Sequence, residues 1–204
     1  STAAILISSN PIFVMLFSAI ILKEKVTYNR IACILLGVAG ITLIVYKGNT
    51  GGDTAASLVL ATFASIIFGF YTVLGKLKSE GISSITMICY SSIFGSLMYV
   101  PVLLLNDIPL FHIPEGTIIR ILYTGVFVSG IAYVTYMEAL KILTASKGAM
   151  VFFLKPVIAS ILAAVFLNES ISFKTAAGII LVLAGVFINF KSGKARDKFE
   201  ETET

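Results

Sequence analysis

Charged residues in this sequence are confined to short breaks between long apolar runs, and that arrangement restricts the fold more than any single motif. Seven runs of about 17 to 25 residues can be drawn, at 3–22, 30–46, 56–77, 84–105, 118–142, 146–167 and 174–190. Each matches the ~20 residues a helix needs to cross the ~30 Å hydrocarbon core of a bilayer. With 57% hydrophobic and only 13% charged residues, the 204-residue chain does not suit a soluble domain built around one core. The fold expected is an all-α polytopic membrane protein with seven transmembrane helices. Links as short as KEKVTYN and KGNTGGDT make consecutive helices antiparallel neighbours.

Lysine and arginine set the orientation, because cytoplasmic loops retain positive charge. Of the 15, eleven fall on one side: Lys23, Lys25, Arg30, Lys76, Lys78, Lys141, Lys147, Lys191, Lys194, Arg196 and Lys198. Lys47, Arg120 and Lys174 fall on the other, and Lys155 lies within an apolar run. The net charge of +4 is therefore read as topology rather than as a nucleic-acid surface. A multi-pass protein of the cell (inner) membrane is expected, with residues 192–204 as a disordered cytoplasmic tail. Seven spans then place Ser1 outside. The chain opens STAAILISSN, without an initiator methionine, so Ser1 reads as an internal residue of a longer parent.

The polar inventory argues against an enzyme. Asp53, Asp107, Asp197 and His112 lie in loops or the tail, so no paired carboxylates or metal-ligand set can be assembled at membrane depth. Serines have no histidine partner. Cys33 and Cys89 sit in apolar runs, without disulfide or metal-binding spacing. No catalytic residue, metal or cofactor is expected.

Lys155-Pro156, in the middle of VFFLKPVIASILAAVFLNES, is the anomaly within the membrane. A lysine near the bilayer centre costs ~2.5–3.5 kcal/mol on insertion scales. The adjacent proline removes a backbone donor and frees a carbonyl. One reading is a substrate or coupling-ion site at a break in a membrane helix; the other is a kink whose lysine is neutral, snorkelled or paired.

An internal repeat bears on this choice. Shifting the sequence by 145 places lays residues 1–46 over 146–191 without a gap. Ser1 falls on Ser146, Pro11 on Pro156, Leu22 on Leu167, Glu24 on Glu169, Ile34 on Ile179 and Gly40 on Gly185. Proline, glutamate and the match of Val26-Thr27 to Ile171-Ser172 hold the register better than leucines and alanines would. The copies begin five spans apart, an odd number, so they face opposite ways: an inverted-topology repeat, the hallmark of secondary transporters with a midplane site. Asn10-Pro11 is thereby the partner of Lys155-Pro156.

The segments NPIFVMLFSAIILKEKVTYNRIACILLGVAG and KPVIASILAAVFLNESISFKTAAGIILVLAG repeat one pattern: a helix with an early proline, a leucine-x-glutamate exit, and a Gly/Ala-rich helix. Together with FGFYTVLGK and GVFVSGIAYVTYMEALKIL, this order resembles the EamA-like branch of the drug/metabolite transporter superfamily. The resemblance covers nearly all of residues 1–191. It implies a ten-helix fold of two inverted five-helix units, with the first three helices absent here. Residues 1–47 would then be the last two helices of the first repeat, 48–55 an extracytoplasmic linker, and 56–191 a complete second repeat. Either this is a fragment or a shortened protein completes its pathway with another chain.

What the resemblance implies is a secondary transporter that moves a small metabolite, amino-acid-like solute or drug-like compound, often outward, by alternating access. Its partners would be the small-molecule substrate and the lipid bilayer. The alternatives are a seven-helix receptor or photoreceptor and a non-transporting membrane scaffold. A retinal protein would want its lysine in the last helix and an aspartate counterion within the bundle, and neither is present.

Lys155 and Glu138 are the ionisable groups within the apolar depth. They are close enough along their helices to pair, although Glu138 can equally meet Lys141 at the interface. An unpaired Lys155 facing a cavity would attract an anionic group or exchange a proton. Asn10, Tyr71, Thr72, Tyr90, Tyr133 and Tyr136 are the remaining candidate lining residues, and Pro11 and Pro156 the helix breaks. Ser91/Gly95, Gly125/Ser129 and Ala159/Ala163, at four-residue spacing, are candidate points of close helix approach. Glu24 and Glu169 precede Thr27 and Ser172, expected N-caps, and are explained by capping and loop closure.

Overall fold

The computed structural model describes residues 6, 8–45, 55–79, 81–109, 116–167 and 170–200, with side chains as far as Phe190. Every regular element among them is helical. In chain order these are α1 (Asn10–Ile21), α2 (Tyr28–Val45), α3 (Ala55–Lys78), α4 (Ser84–Leu105) and α5 (Ile118–Tyr123). A π-helical stretch at Thr124–Ile131 leads into α6 (Ala132–Ile142). Then come α7 (Ala145–Ala149), a 3-10 segment at Met150–Phe153, α8 (Leu154–Leu167) and α9 (Phe173–Glu200).

Six of these helices are long and apolar enough to cross a membrane, with Ile118–Ile142 and Ala145–Leu167 each counted as one. Their mean hydropathies run from 1.6 to 2.4, the architecture of a polytopic membrane protein. The expected boundaries at 84–105 and 118–142 coincide with the helices found, and the others move by one or two residues. Two differences stand out. The first apolar run is represented by α1, only 12 residues long, with residues 1–5 and 7 outside the described residues. At the other end, the tail expected to be disordered from 192 is helical to Glu200, where KARDKFE supplies good helix formers with no proline.

The chain divides into two compact units, Ser1–Leu74 with Thr144–Thr204, and Gly75–Leu143. The main core belongs to the first. Cys33, Ile34, Ile41, Met150, Phe153, Val157 and Val182 form one buried cluster, flanked by Ile12, Met15, Val38 and Ile179. A second cluster joins Val14, Val73, Ala145 and Ala149. In the second unit α4 and the helix through α6 leave nearly all of their apolar surface outward, as lipid-facing helices do. Here Lys76 Nζ donates to the carbonyls of Leu140 and Lys141, capping the end of α6. Gly75 faces Met137, whose sulfur lies 3.1 Å from where a Cβ would stand.

Close helix approach comes from glycines that the four-residue pairs did not include. A Cβ on Gly40 would stand 2.6 Å from the Gly178 carbonyl oxygen, and one on Gly178 would stand 2.5 Å from the Gly40 carbonyl oxygen. A Cβ on Gly185 would lie 3.1 Å from the Cys33 carbonyl oxygen. The early part of α2 thus meets the late part of α9 and the reverse, so the two helices pack antiparallel with backbones almost touching. Gly69 plays the same part between α3 and α1, where its Cβ would stand 2.8 Å from Phe13 Cβ. A Cβ on Gly95 or Gly125, by contrast, would meet nothing within 4 Å among the described residues outside its own helix turn. Gly40→Val is therefore expected to destabilise the protein by about 1–3 kcal/mol or to abolish folded yield. Gly95→Ala, in a helix with open space around it, should be neutral or stabilising by up to about 1 kcal/mol. Thermal unfolding in detergent, followed by size exclusion, distinguishes the two.

Candidate functional site

Pro156 shapes its helix from a distance of one turn. Its ring occupies the space that the carbonyl of residue 152 would take in a regular α-helix. The chain meets this by tightening to 3-10 geometry over Met150–Phe153 and resuming α-geometry at Leu154. Ser160 Oγ then donates to the Pro156 carbonyl at 2.8 Å. The partner proline, Pro11, also follows an interruption. Ser9 is a turn residue between helical Ser8 and Asn10, and Ile12 N–H reaches the Ser9 carbonyl at 2.9 Å.

Lys155 is exposed, with its Nζ 4.2 Å from the centroid of the Phe152 ring. The negative ring face offsets part of the cost of holding the ammonium away from bulk water. Phe152 meets Phe68 of α3 edge-on, centroids 5.1 Å apart, and Phe68 lies 6.5 Å from Tyr71. A row of rings therefore leads from Tyr71 to the lysine within the first unit. Asn10 and Thr72 belong to this unit too. Asn10 is 7% exposed and Thr72 fully buried, and neither Asn10 Oδ1 nor Thr72 Oγ1 has a hydrogen-bond partner among the described residues. A buried polar atom in that state costs about 1–3 kcal/mol.

The remaining candidates, Tyr90, Tyr133, Tyr136 and Glu138, lie in the second unit. Tyr90 is exposed, while Tyr133 and Tyr136 are half-buried. Glu138 takes the interfacial option: it is exposed and pairs with Lys141 at 2.8 Å, one turn along its own helix. Two surface grooves contain none of the predicted residues. One is lined by Leu58, Val59, Thr62, Phe63 and Ile66 on α3, and the other by Thr117, Arg120, Ile121, Thr124, Gly125 and Ser129 beside the π-helical stretch.

The most extensive polar cluster is one that sequence reasoning divided among loops. Glu24 was expected to serve the adjacent helix, α2, but it caps α7 instead. Its carboxylate accepts from the backbone N–H groups of Ala145 at 2.7 Å and Ser146 at 3.3 Å, and from Ser146 Oγ at 2.6 Å. Those are donors that a helix start leaves unpaired, and the positive end of the peptide dipoles favours a carboxylate there. Ser146 Oγ lies 2.7 Å from Ser18 Oγ of α1. Arg30, counted above as an interfacial charge, is 8% exposed. It donates to Glu24 at 3.3 Å, to the Lys25 carbonyl at 3.0 Å and to Thr144 Oγ1 at 3.0 Å. Thr144 in turn caps α7 by accepting from Lys147 N–H. The turn that delivers Glu24 has Lys23 at a left-handed φ of 54°, which lets Glu24 N–H return to the Ser18 carbonyl at 3.1 Å. The leucine-x-glutamate exit was the available signal, but a contact 121 residues away has no local signature. Ser172 does cap its own helix as expected, accepting from Thr175 N–H at 3.2 Å.

Removing Arg30 would leave the Glu24 carboxylate buried beside α7 without its countercharge. Arg30→Ala is expected to lower stability by about 3 kcal/mol. Lys141→Ala, which removes an exposed partner from Glu138, should leave it unchanged within error. Chemical denaturation in detergent micelles measures both.

Comparison with known proteins identifies the family. The model of the EamA-like transporter family matches residues 1–46 and 55–191. An uncharacterized transporter of Clostridium kluyveri is 32% identical over 200 residues, covering 95% of this chain and 64% of the relative. A probable terminal-alkyne amino-acid exporter of Streptantibioticus cattleyicolor is 27% identical over 188 residues, covering 92% of this chain and 63% of its own length. The chain thus spans a little under two thirds of the curated relatives it matches. A protein solved by crystallography superposes with a TM-score of 0.78 at 17% identity, over 91% of this chain and 66% of the other, a likeness of fold alone. The chain belongs to the EamA-like transporter family.

Proposed function

We propose that this chain is part of a secondary transporter of the cell (inner) membrane that works by alternating access and exports a small amino-acid-like solute. The observation that carries the reading is Lys155: a lysine at a proline-broken membrane helix, its ammonium seated on an aromatic face and exposed. A cation so placed can receive the carboxylate of a solute whose apolar part lies along Phe68 and Tyr71. The amino-acid exporter among the relatives supports the same class of cargo. Asn10 stands at the related position of the other half, with a free carbonyl oxygen able to accept from an ammonium.

The reciprocal contacts of α2 and α9 support the inverted-repeat reading. Under the 145-place shift, Gly40 corresponds to Gly185 and Cys33 to Gly178. Gly40 meets Gly178, and Gly185 meets Cys33. Such exchange of partners is what a twofold axis between two copies produces. In this reading the chain contributes seven spans of a ten-helix fold. Residues 1–47 close the first repeat, 48–55 form the linker and 56–191 make up the second, with the C-terminus cytoplasmic. Proton exchange at Lys155 couples the cycle.

Counterflow of radiolabelled L-amino acids in proteoliposomes tests the site. Lys174→Ala should transport like the parent. Lys155→Ala should lose at least tenfold while remaining helical and monodisperse, the scale of a lost charge-assisted contact. Parental uptake by Lys155→Ala would remove the lysine from the site.

A further inference from the structure

Among the contacts between residues of the two repeat copies within the first unit, two differ in kind. Between α2 and α9 the backbones interlock through Gly40, Gly178 and Gly185, a dry contact with no room to slide. Between the α1–α2 corner and α7 a polar layer on the Lys23/Lys25 side covers the small apolar cluster of Val14, Ala145 and Ala149. Glu24 holds Ala145 and Ser146, Ser18 holds Ser146, and Arg30 holds Thr144. When this layer parts, water can solvate the carboxylate, guanidinium and hydroxyls it exposes, whereas the backbone interlock of α2 and α9 offers no such exchange. The first contact is built to stay shut and the second can open.

Position adds to this. The clamp lies among Lys23, Lys25 and Lys147, the charges that mark the cytoplasmic side. Lys155 is ten residues beyond Ala145 along the same helix, roughly 15 Å deeper. A closed clamp therefore joins α1 to α7 between the cytoplasm and the level of Lys155. Ser18, Ala145 and Ser146 of the clamp are buried, as are Val14 and Ala149 next to them along the helices.

We propose that the Glu24–Ser146–Ser18 clamp, braced by Arg30 and Thr144, is the cytoplasmic gate of this protein, closed here and opened once in each cycle by parting of α1 from α7. The proposal rests on the transport reading, with α2 and α9 as the fixed hinge about which the gate moves.

The test uses the full chain in proteoliposomes, in a Cys89→Ser background that leaves only the buried Cys33. Ser18→Cys/Ser146→Cys should form a disulfide under mild oxidation, since the native hydroxyl oxygens are 2.7 Å apart. Oxidation should reduce L-amino-acid counterflow at least tenfold, and reductant should restore it. In a second arm, Ala149→Cys is labelled from the cytoplasmic face with a charged thiol reagent. Adding Glu24→Gln should speed labelling on the order of tenfold, the scale of one lost charge-assisted contact. Failure to cross-link, unchanged counterflow in the cross-linked protein, or unchanged labelling with Glu24→Gln would each overturn the gate. If no variant nor the parent moves amino acids, the transport reading fails instead, and the labelling arm still decides whether the clamp opens.

Discussion

The contact on which the rest of the first unit depends is the antiparallel packing of α2 on α9. In a bilayer the lipid tails are as apolar as leucine, so helices gain little from burying side chains against one another, and close backbone approach takes over. Gly40 and Gly178 allow it at one end and Gly185 against Cys33 at the other. Once these helices are fixed, the flanking side chains have one place to go. Phe153 lays its ring over Gly37, where a Cβ would stand 2.7 Å from the ring carbons, and Ile41, Val157 and Val182 close the cluster around it. Phe153 belongs to the 3-10 segment, so the proline-adjusted helix is anchored to α2 just before Lys155.

That anchoring explains how a costly pair of residues is tolerated at adjacent positions. Pro156 disturbs the backbone one turn upstream, and the disturbed turn carries both Phe153, packed into the core, and Phe152, beneath the lysine. The break therefore positions the ring that receives the charge. Lys155 alone in hydrocarbon would be a liability, whereas Lys155 on Phe152 is a directed cation.

Much of this was legible in the chain itself. Helix positions followed from apolar run length, which is a property of single segments. The correspondence of Asn10-Pro11 to Lys155-Pro156 followed from the repeat. What escaped was contact between distant segments. Small-residue spacing within one helix pointed to Gly95 and Gly125, where an added Cβ meets no other helix among the described residues, because spacing does not say which face meets a neighbour. Arg30 was counted as a topology charge for the same reason: its burial depends on Glu24 and Thr144, and Thr144 lies 114 residues away. Glu138 was ambiguous because its helix offers Lys141 locally, and the local partner is the one it takes.

The repeat also shows where the halves have diverged. At the core, Gly37 and Phe153 correspond to Val182 and Ser8, so a small residue facing a large one is exchanged for a medium residue and a small one, and the summed volume changes little. At the clamp the exchange is not conservative. Positions related to Ser18, Glu24 and Arg30 read Ala163, Glu169 and Thr175. The carboxylate is duplicated, whereas the hydroxyl from α1 and the guanidinium are not. The charge-paired clamp is thus a property of one half only. A buried carboxylate with an arginine at 3.3 Å is held more firmly than one without. Under the 145-place shift, the arginine brace therefore belongs to the sequence around Glu24 and not to that around Glu169.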